Sequence, residues 1–352
     1  MSRHTEKIIS IFFKKGYDEK YKENIINQLK ACINVDTIAF YNPECIGVMN
    51  STKDLFKNTV ALKEIFSDKL SNEIADAIIA TGVKQVIFSS ITFGWMNLIE
   101  NIYLKKSDIK IKFLWHGSHA MLVQKNEAYF LYNIMELLDR NIIHSIGFSK
   151  ESMAEFYKLK GYDAYFVPNT VSNLKTTNTP FNKKTDKKYI GLYSAGNRWE
   201  KNTFNQLSAI SMLRGSVIDI IPVTELVSDF CNLMNIEIND RNIGYLKRQD
   251  LLNRMAQNDL NLYVTFTECS PVVPLESLEL GVPCITGNNH HYFRNSKLYD
   301  YLVVKSEDNI DEIYSKARIA IENKDEIIKL YKSWKKDYDV FFNQKLLEFL
   351  QG

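Results

Sequence analysis

The chain has 352 residues, 45% hydrophobic and 24% charged, with 44 basic against 42 acidic side chains and a net charge of +2. That composition suits about two globular domains with full cores and excludes a disordered or low-complexity protein. The near-neutral balance carries no nucleic-acid footprint, and the five cysteines (Cys32, Cys45, Cys231, Cys269, Cys284) show neither CxxC pairs nor ligand spacing, which reads as reduced cytosolic thiols. In chain order, the first apolar run, 8–13, reads as a strand; it is too short for a signal-peptide core and lacks a cleavage site. Strand patterns follow at 37–41, 85–89, 109–115 and 141–149, with helical patterns between them at 21–31, 60–81, 93–104 and 127–138. Alternation of this kind predicts a mostly parallel, doubly wound α/β sheet. The polar stretch 173–188, rich in Thr, Asn and Lys, reads as a linker. A second series of strands begins at 189–194 and continues at 217–223, 243–246, 262–266 and 284–286. Nowhere does an apolar run approach the length of a membrane span.

The most informative segment is NLYVTFTECSPVVPLESLELGVPCITGNN, residues 261–289. A β-branched apolar run stops at Thr267, as a buried parallel strand does at its carboxyl end. Glu268 follows, then a turn, then a helix whose start is confined by Pro271 and Pro274 and whose end is marked by Gly281 and Pro283. Glu268 therefore sits at a strand end and Glu276 on the next helix, with first-turn amides between them. Two carboxylates flanking free N–H groups suit a ligand with hydroxyls at both ends and an anion in the middle, as in a nucleotide-sugar diphosphate.

This E-x7-E pattern, followed by an apolar helix and Gly281-Val282-Pro283, resembles the donor-site signature of glycosyltransferase family 4, retaining enzymes of the GT-B fold. The resemblance implies two Rossmann-like domains facing a cleft: an acceptor-side domain over 1–172, a linker at 173–188, and a donor-side domain over 189–324. A C-terminal helix over 325–352 would return to brace the first domain. It carries Ile327, Tyr331, Trp334, Tyr338 and Phe341 at 4-3 spacing, so one face is buried. By position, Glu268 would meet the donor sugar near the reacting centre and Glu276 would hold the ribose. The family's glycine-rich tripeptide is replaced by Cys269-Ser270-Pro271, so the amides of Ser270, Val272 and Val273 remain as donors while Pro271 offers none.

GLYSAGNRWEKN, residues 191–202, supplies the cations. A strand ends at Ser194, Ala195-Gly196-Asn197 makes a turn, and Arg198 and Lys201 fall one helical turn apart on one face. The family uses a basic pair in this loop on the donor pyrophosphate. These cations stand where other transferases place a metal, and the single DxD, Asp337-Tyr338-Asp339, lies inside the last helix. No metal and no cofactor are expected. FSKESMAEFYKLKGYDAYFVPNTV resembles the family's closing segment of the first domain, a serine-capped helix and a strand leading to Pro168-Asn169. IGYLKRQDLL, 243–252, matches the strand and helix start that flank the nucleobase, with Leu246 as a backbone contact. His116, after the strand in IKIKFLWHGSHA, occupies the place of a histidine that faces the sugar; His119 is its substitute, and His290 and His291 stay open.

The expected activity is retaining, metal-independent transfer of a hexosyl or N-acetylhexosaminyl group from a UDP- or GDP-linked donor. The acceptor would be a bacterial glycan, a lipid-linked molecule or a protein, with the enzyme in the cytoplasm or at the inner face of the membrane. Tyr129, Phe130, Leu131, Tyr132, Ile134 and Met135 form either a membrane-docking face or, as an all-round apolar helix suggests, a packed one. A catalytically inactive GT-B subunit that supports a partner transferase is the alternative, encouraged by Phe13-Lys14-Lys15-Gly16 standing where a paired-glycine turn is expected.

Overall fold

The computed structural model describes residues 15–65, 67–171, 174, 186–193, 198–240 and 244–352, with side chains from residue 19 onward. The expected strand at 8–13, the Ser194–Asn197 turn, Ile243 and nearly all of the 173–188 linker lie outside them. Two compact units are present, Met1–Pro168 with Gln344–Gly352, and Asn169–Asn343.

The first unit holds β1 (Thr37–Tyr41), β2 (Thr59–Ala61), β3 (Gln85–Phe88), β4 (Lys110–Trp115), β5 (Ser145–Phe148) and β6 (Ala164–Phe166). They form one parallel sheet in the order β2-β1-β3-β4-β5-β6. Its strands read as continuous apolar runs because helices cover both faces: Val86, Ile87, Phe88, Ile111, Phe113 and Ile146 are fully buried. The helices run over Lys15–Lys30, Ile46–Leu55, Asp68–Ala80, Trp95–Lys105, Lys125–Asp139 and Glu151–Leu159. The pattern at 60–81 is not one helix: 59–61 is an edge strand paired to β1, and Ser67 caps the helix that follows by accepting from the Leu70 N–H. Helix Lys125–Asp139 buries Leu131, Ile134, Leu137 and Leu138 while Tyr132 is exposed, so it packs through one face. Among the described residues, no helix is long and apolar enough to cross a membrane.

The second unit holds β7 (Lys188–Leu192), β8 (Ser216–Ile220), β9 (Glu237–Ile238), β10 (Leu260–Tyr263), β11 (Cys284–Gly287) and β12 (Val303–Val304) in the parallel order β12-β11-β10-β7-β8-β9. The chain winds from β7 toward β9, then returns from β10 toward β12, so β7 and β10 are neighbours at the reversal point. Ligands of such sheets bind outside the carboxyl ends of that strand pair. A strand is expected at 243–246, but residues 244–247 form none; the sheet's edge beside β8 is β9, which pairs with Val217 and Ile218.

Helix Lys324–Gln351 closes the chain. Up to Asn343 it belongs to the second unit, where Trp334 stacks on Tyr338 and edges against Tyr292. Its last residues return to the first unit. There Lys112, fully buried in β4, donates from Nζ to the carbonyls of Phe349 (2.5 Å) and Leu350 (3.1 Å). A helix end leaves carbonyls without intrahelical donors and carries partial negative charge, and this ammonium meets both needs. Gly147 on β5 makes room for the seat: a Cβ there would lie 2.9 Å from Val167 Cγ2 and 3.1 Å from Phe349 Cε2.

Candidate functional site: the carboxyl ends of β7 and β10

β10 ends at Tyr263, and the chain then runs through Glu268 to Pro271, which precedes the helix Val272–Glu279. Pro274 occupies the third helical position, so Val272 and Val273 are the first-turn residues that carry N–H groups pointing away from the helix. Gly281 (φ +78°) ends the helix in the left-handed region, as the sequence requires.

The loop after β7 is tied to this segment by two buried amides. Asn202, itself left-handed at φ +53°, donates from Nδ2 to the carbonyls of Val264 (3.1 Å) and Glu307 (2.5 Å). Gln206 donates to the Lys201 carbonyl (2.9 Å) and accepts from the Val264 N–H (2.8 Å), while the Phe266 N–H reaches the Glu200 carbonyl (2.9 Å). These ties place Lys201 against Glu268. Lys201 Nζ lies 2.5 Å from Glu268 Oε1 and 3.0 Å from Tyr263 Oη, and the Tyr263 hydroxyl donates to the same carboxylate oxygen at 2.9 Å. Lys201 and Tyr263 are each 8% exposed. Burial acts to strip the Lys201 proton, but Tyr263 and the Glu268 carboxylate outweigh it and hold the ammonium above its ordinary value. Burial, reinforced by Glu268, pushes the Tyr263 phenol up, so it stays a neutral donor.

Arg198 and Lys201 do not share one helical face. Trp199–Lys201 is a tight 3-10 turn preceded by extended Arg198, and the Arg198 guanidinium pairs with buried Glu200. Trp199, 60% exposed, stacks on Phe266 with ring centroids 6.3 Å apart. Arg198, Trp199, Asn205 and Phe266 line an open cavity of about 260 Å3.

Glu276, 4% exposed, lies in the second turn of its helix and accepts from Arg248 Nε (3.0 Å) and Nη2 (2.8 Å). Arg248 begins the helix Arg248–Met255, and Leu246 just before it packs on the cluster of Tyr193, Ile221, Leu252 and Met255. Ser270 is clamped by Asn169: its hydroxyl accepts the Asn169 N–H (2.7 Å), its carbonyl accepts the Asn169 amide (2.6 Å), and its hydroxyl meets Tyr292 Oη (2.8 Å). Pro168-Asn169 thus does more than turn the chain.

In the first unit, His116 Nε2 is 2.9 Å from Ser89 Oγ and Nδ1 is 3.2 Å from Ser149 Oγ. The serine cap expected for the helix Glu151–Leu159 is not formed: Lys150 takes the cap position without a side-chain capping bond, and the Ser149 hydroxyl pairs with His116. Desolvation lowers His116 to about 4, so the ring is neutral near pH 7 and acts as a hydrogen-bonding group rather than a cation. His119 meets Tyr157 Oη (3.3 Å), His290 meets Thr286 Oγ1 (2.5 Å) and His291 meets Tyr338 Oη (3.1 Å). Asp337-Tyr338-Asp339 is helical; Tyr338 donates to the Asn169 carbonyl, and Asp339 takes Lys335. The five cysteines, all described, form no disulfide.

Sequence reasoning missed Tyr263, Arg248, Asn202 and Gln206. Arg248 and Asn202 lie within motifs already singled out. Tyr263 looks like one more apolar strand residue, and only its hydroxyl at the strand's last position hints otherwise.

No protein-family model matches this chain, and no curated protein matches it. Solved structures do. A trehalose-6-phosphate synthase, studied for glycosyl transfer with retention, is 10% identical, with 88% of this chain and 99% of that one covered (TM-score 0.57). The lipopolysaccharide outer core galactosyltransferase WaaB is 15% identical over 89% of this chain and 99% of its own (TM-score 0.58). TarM of S. aureus, in complex with UDP, is 12% identical over 80% of this chain and 58% of its own (TM-score 0.57). These likenesses establish the fold: α/β, of the GT-B type.

Proposed function

We propose that the chain is a retaining, metal-independent glycosyltransferase, resembling family 4, that moves a hexosyl or N-acetylhexosaminyl group from a nucleotide sugar to a bacterial glycan, lipid-linked or protein acceptor. The observation that carries this reading is the Lys201–Glu268 pair at the switch point of the second sheet, followed by helix Val272–Glu279, whose second turn carries the Arg248-held Glu276. A solved neighbour bound to UDP and another described as retaining favour a UDP-linked donor and retention.

In this reading Lys201, Arg198 and the amides of Ser270, Val272 and Val273 take the diphosphate, whose negative charge grows as the sugar C1–O bond breaks. Glu268 binds sugar hydroxyls as positive charge develops on the ring, and Glu276 holds the ribose. The acceptor oxygen bonds to C1 on the face the phosphate leaves, and its proton passes to the departing phosphate oxygen.

The test is a nucleotide-sugar panel scored by thermal shift and by slow release of nucleoside diphosphate, followed by Glu268→Gln. Contacts expressed only in the transition state appear in kcat, so this variant should lose kcat strongly with modest change in KM. Full activity in Glu268→Gln, or no donor binding at all, rejects the reading; the second outcome favours an inactive supporting subunit.

A further inference from the structure

Two anions compete for Lys201 in the proposed donor site. Its ammonium lies on Glu268 Oε1 at 2.5 Å, and to serve a donor it must face phosphate. Glu268 therefore occupies, for Lys201, the role of the donor's own anion. Any diphosphate has to draw Lys201 away, and it brings negative charge toward a carboxylate that has just lost its cation. Leaving a charge behind in a poorly solvated place is costly unless another donor holds it. One such donor is built in: the Tyr263 hydroxyl, 2.9 Å from Glu268 Oε1, on the last residue of a central strand, where Tyr263 is paired to Thr286 of β11. The strand keeps Tyr263 in place whichever way Lys201 points.

We infer that the Lys201–Glu268 pair is an internal latch which the donor's diphosphate must open, and that Tyr263 is the positioning residue that keeps Glu268 aimed at the sugar once it has opened. This rests on the proposed donor site and adds to it a coupling between phosphate and sugar recognition. A diphosphate without a sugar opens the latch and gains nothing at Glu268. A sugar-bearing donor opens it and supplies hydroxyls to the released carboxylate.

Inorganic pyrophosphate tests this without knowledge of the sugar. Its affinity for the full chain is measured by calorimetry in the wild type, Lys201→Ala, Glu268→Gln, Tyr263→Phe and the double variant Tyr263→Phe/Glu268→Gln, with thermal melts to confirm folding. Glu268→Gln removes the competitor and should tighten pyrophosphate about tenfold, the scale of one charge-assisted hydrogen bond. Tyr263→Phe keeps the ring but removes the donor. It should weaken binding roughly threefold or more when Glu268 is present, and by clearly less in the double variant, where a neutral amide replaces the carboxylate and only the Tyr263 contact to Lys201 is left to lose; such non-additivity is not expected of a packing role. Unchanged or weaker pyrophosphate binding in Glu268→Gln, with loss in Lys201→Ala, overturns the latch and leaves the donor site standing. Additive effects of the two changes overturn the role of Tyr263. Undiminished binding in Lys201→Ala removes the donor-site reading itself.

Discussion

Arg248 holds Glu276 with two donors on a single oxygen, Nε at 3.0 Å and Nη2 at 2.8 Å from Oε1. The pair joins the start of one helix to the second turn of another, on residues 28 apart in the chain. A carboxylate this buried is oriented by its guanidinium partner, which is what a fixed ribose contact would need.

The ribose is unchanged during transfer, so binding energy at Glu276 is shared by ground and transition states. Glu276→Gln should mainly raise KM and should also weaken the sugar-free nucleotide. Arg248→Ala should do the same at one remove, and should cost about 3 kcal/mol of stability because it removes the guanidinium from a buried carboxylate. Kinetics with donor and calorimetry with nucleoside diphosphate check both; a kcat defect with unaltered KM would assign Glu276 elsewhere.

Lys201 and Arg198 should not contribute equally to diphosphate binding. Lys201 is buried at the ends of β7 and β10, while Arg198 is half-exposed and paired with Glu200. Lys201→Ala should lose roughly 1.5–3 kcal/mol of nucleoside diphosphate affinity, and Arg198→Ala less. The double variant should leave nucleoside binding nearly intact. Equal losses for nucleoside and nucleoside diphosphate would show that neither side chain meets phosphate.

Activity should survive excess chelator, because cationic side chains and amides are assigned the work that a metal does at a DxD site. Abolition by EDTA with rescue by manganese or magnesium would overturn that assignment.

The cap on the last helix should make stability depend on alkaline pH. Burial lowers Lys112 from 10.5 to about 8, so between those values the unfolded chain binds more protons at this residue than the folded one. Stability from this residue therefore rises with pH across that window, by about 3 kcal/mol at most. Urea midpoints of the wild type and Lys112→Met, compared at about pH 7.5 and pH 10, should move in favour of the wild type at the higher pH. A gap that stays constant would mean Lys112 keeps its ordinary proton affinity.

Much of this molecule can be read from its residues. The long apolar strands, the E-x7-E segment with its prolines, and the terminal helix all follow from periodicity and backbone constraints that act locally. What escapes is set by partners distant in sequence. β2 and β9 are two- or three-residue edge strands with one neighbour each, too short to leave a pattern. Arg198 and Lys201 look equivalent in sequence, but Glu200 claims one and Glu268 the other. The serine cap expected for the helix Glu151–Leu159 fails because the Ser149 hydroxyl is paired with His116, 33 residues away in the chain.

Trp199 gives the molecule an optical handle on its own chemistry. Trp95 and Trp115 are 0% and 4% exposed and Trp334 is stacked on Tyr338, whereas Trp199 is 60% exposed, stacked on Phe266 and two residues before Lys201. Its indole senses water, and it rides on the same short turn as the ammonium that would meet phosphate. Intrinsic fluorescence can then follow occupancy of the switch point in the unlabelled protein, with Trp199→Phe as the blank.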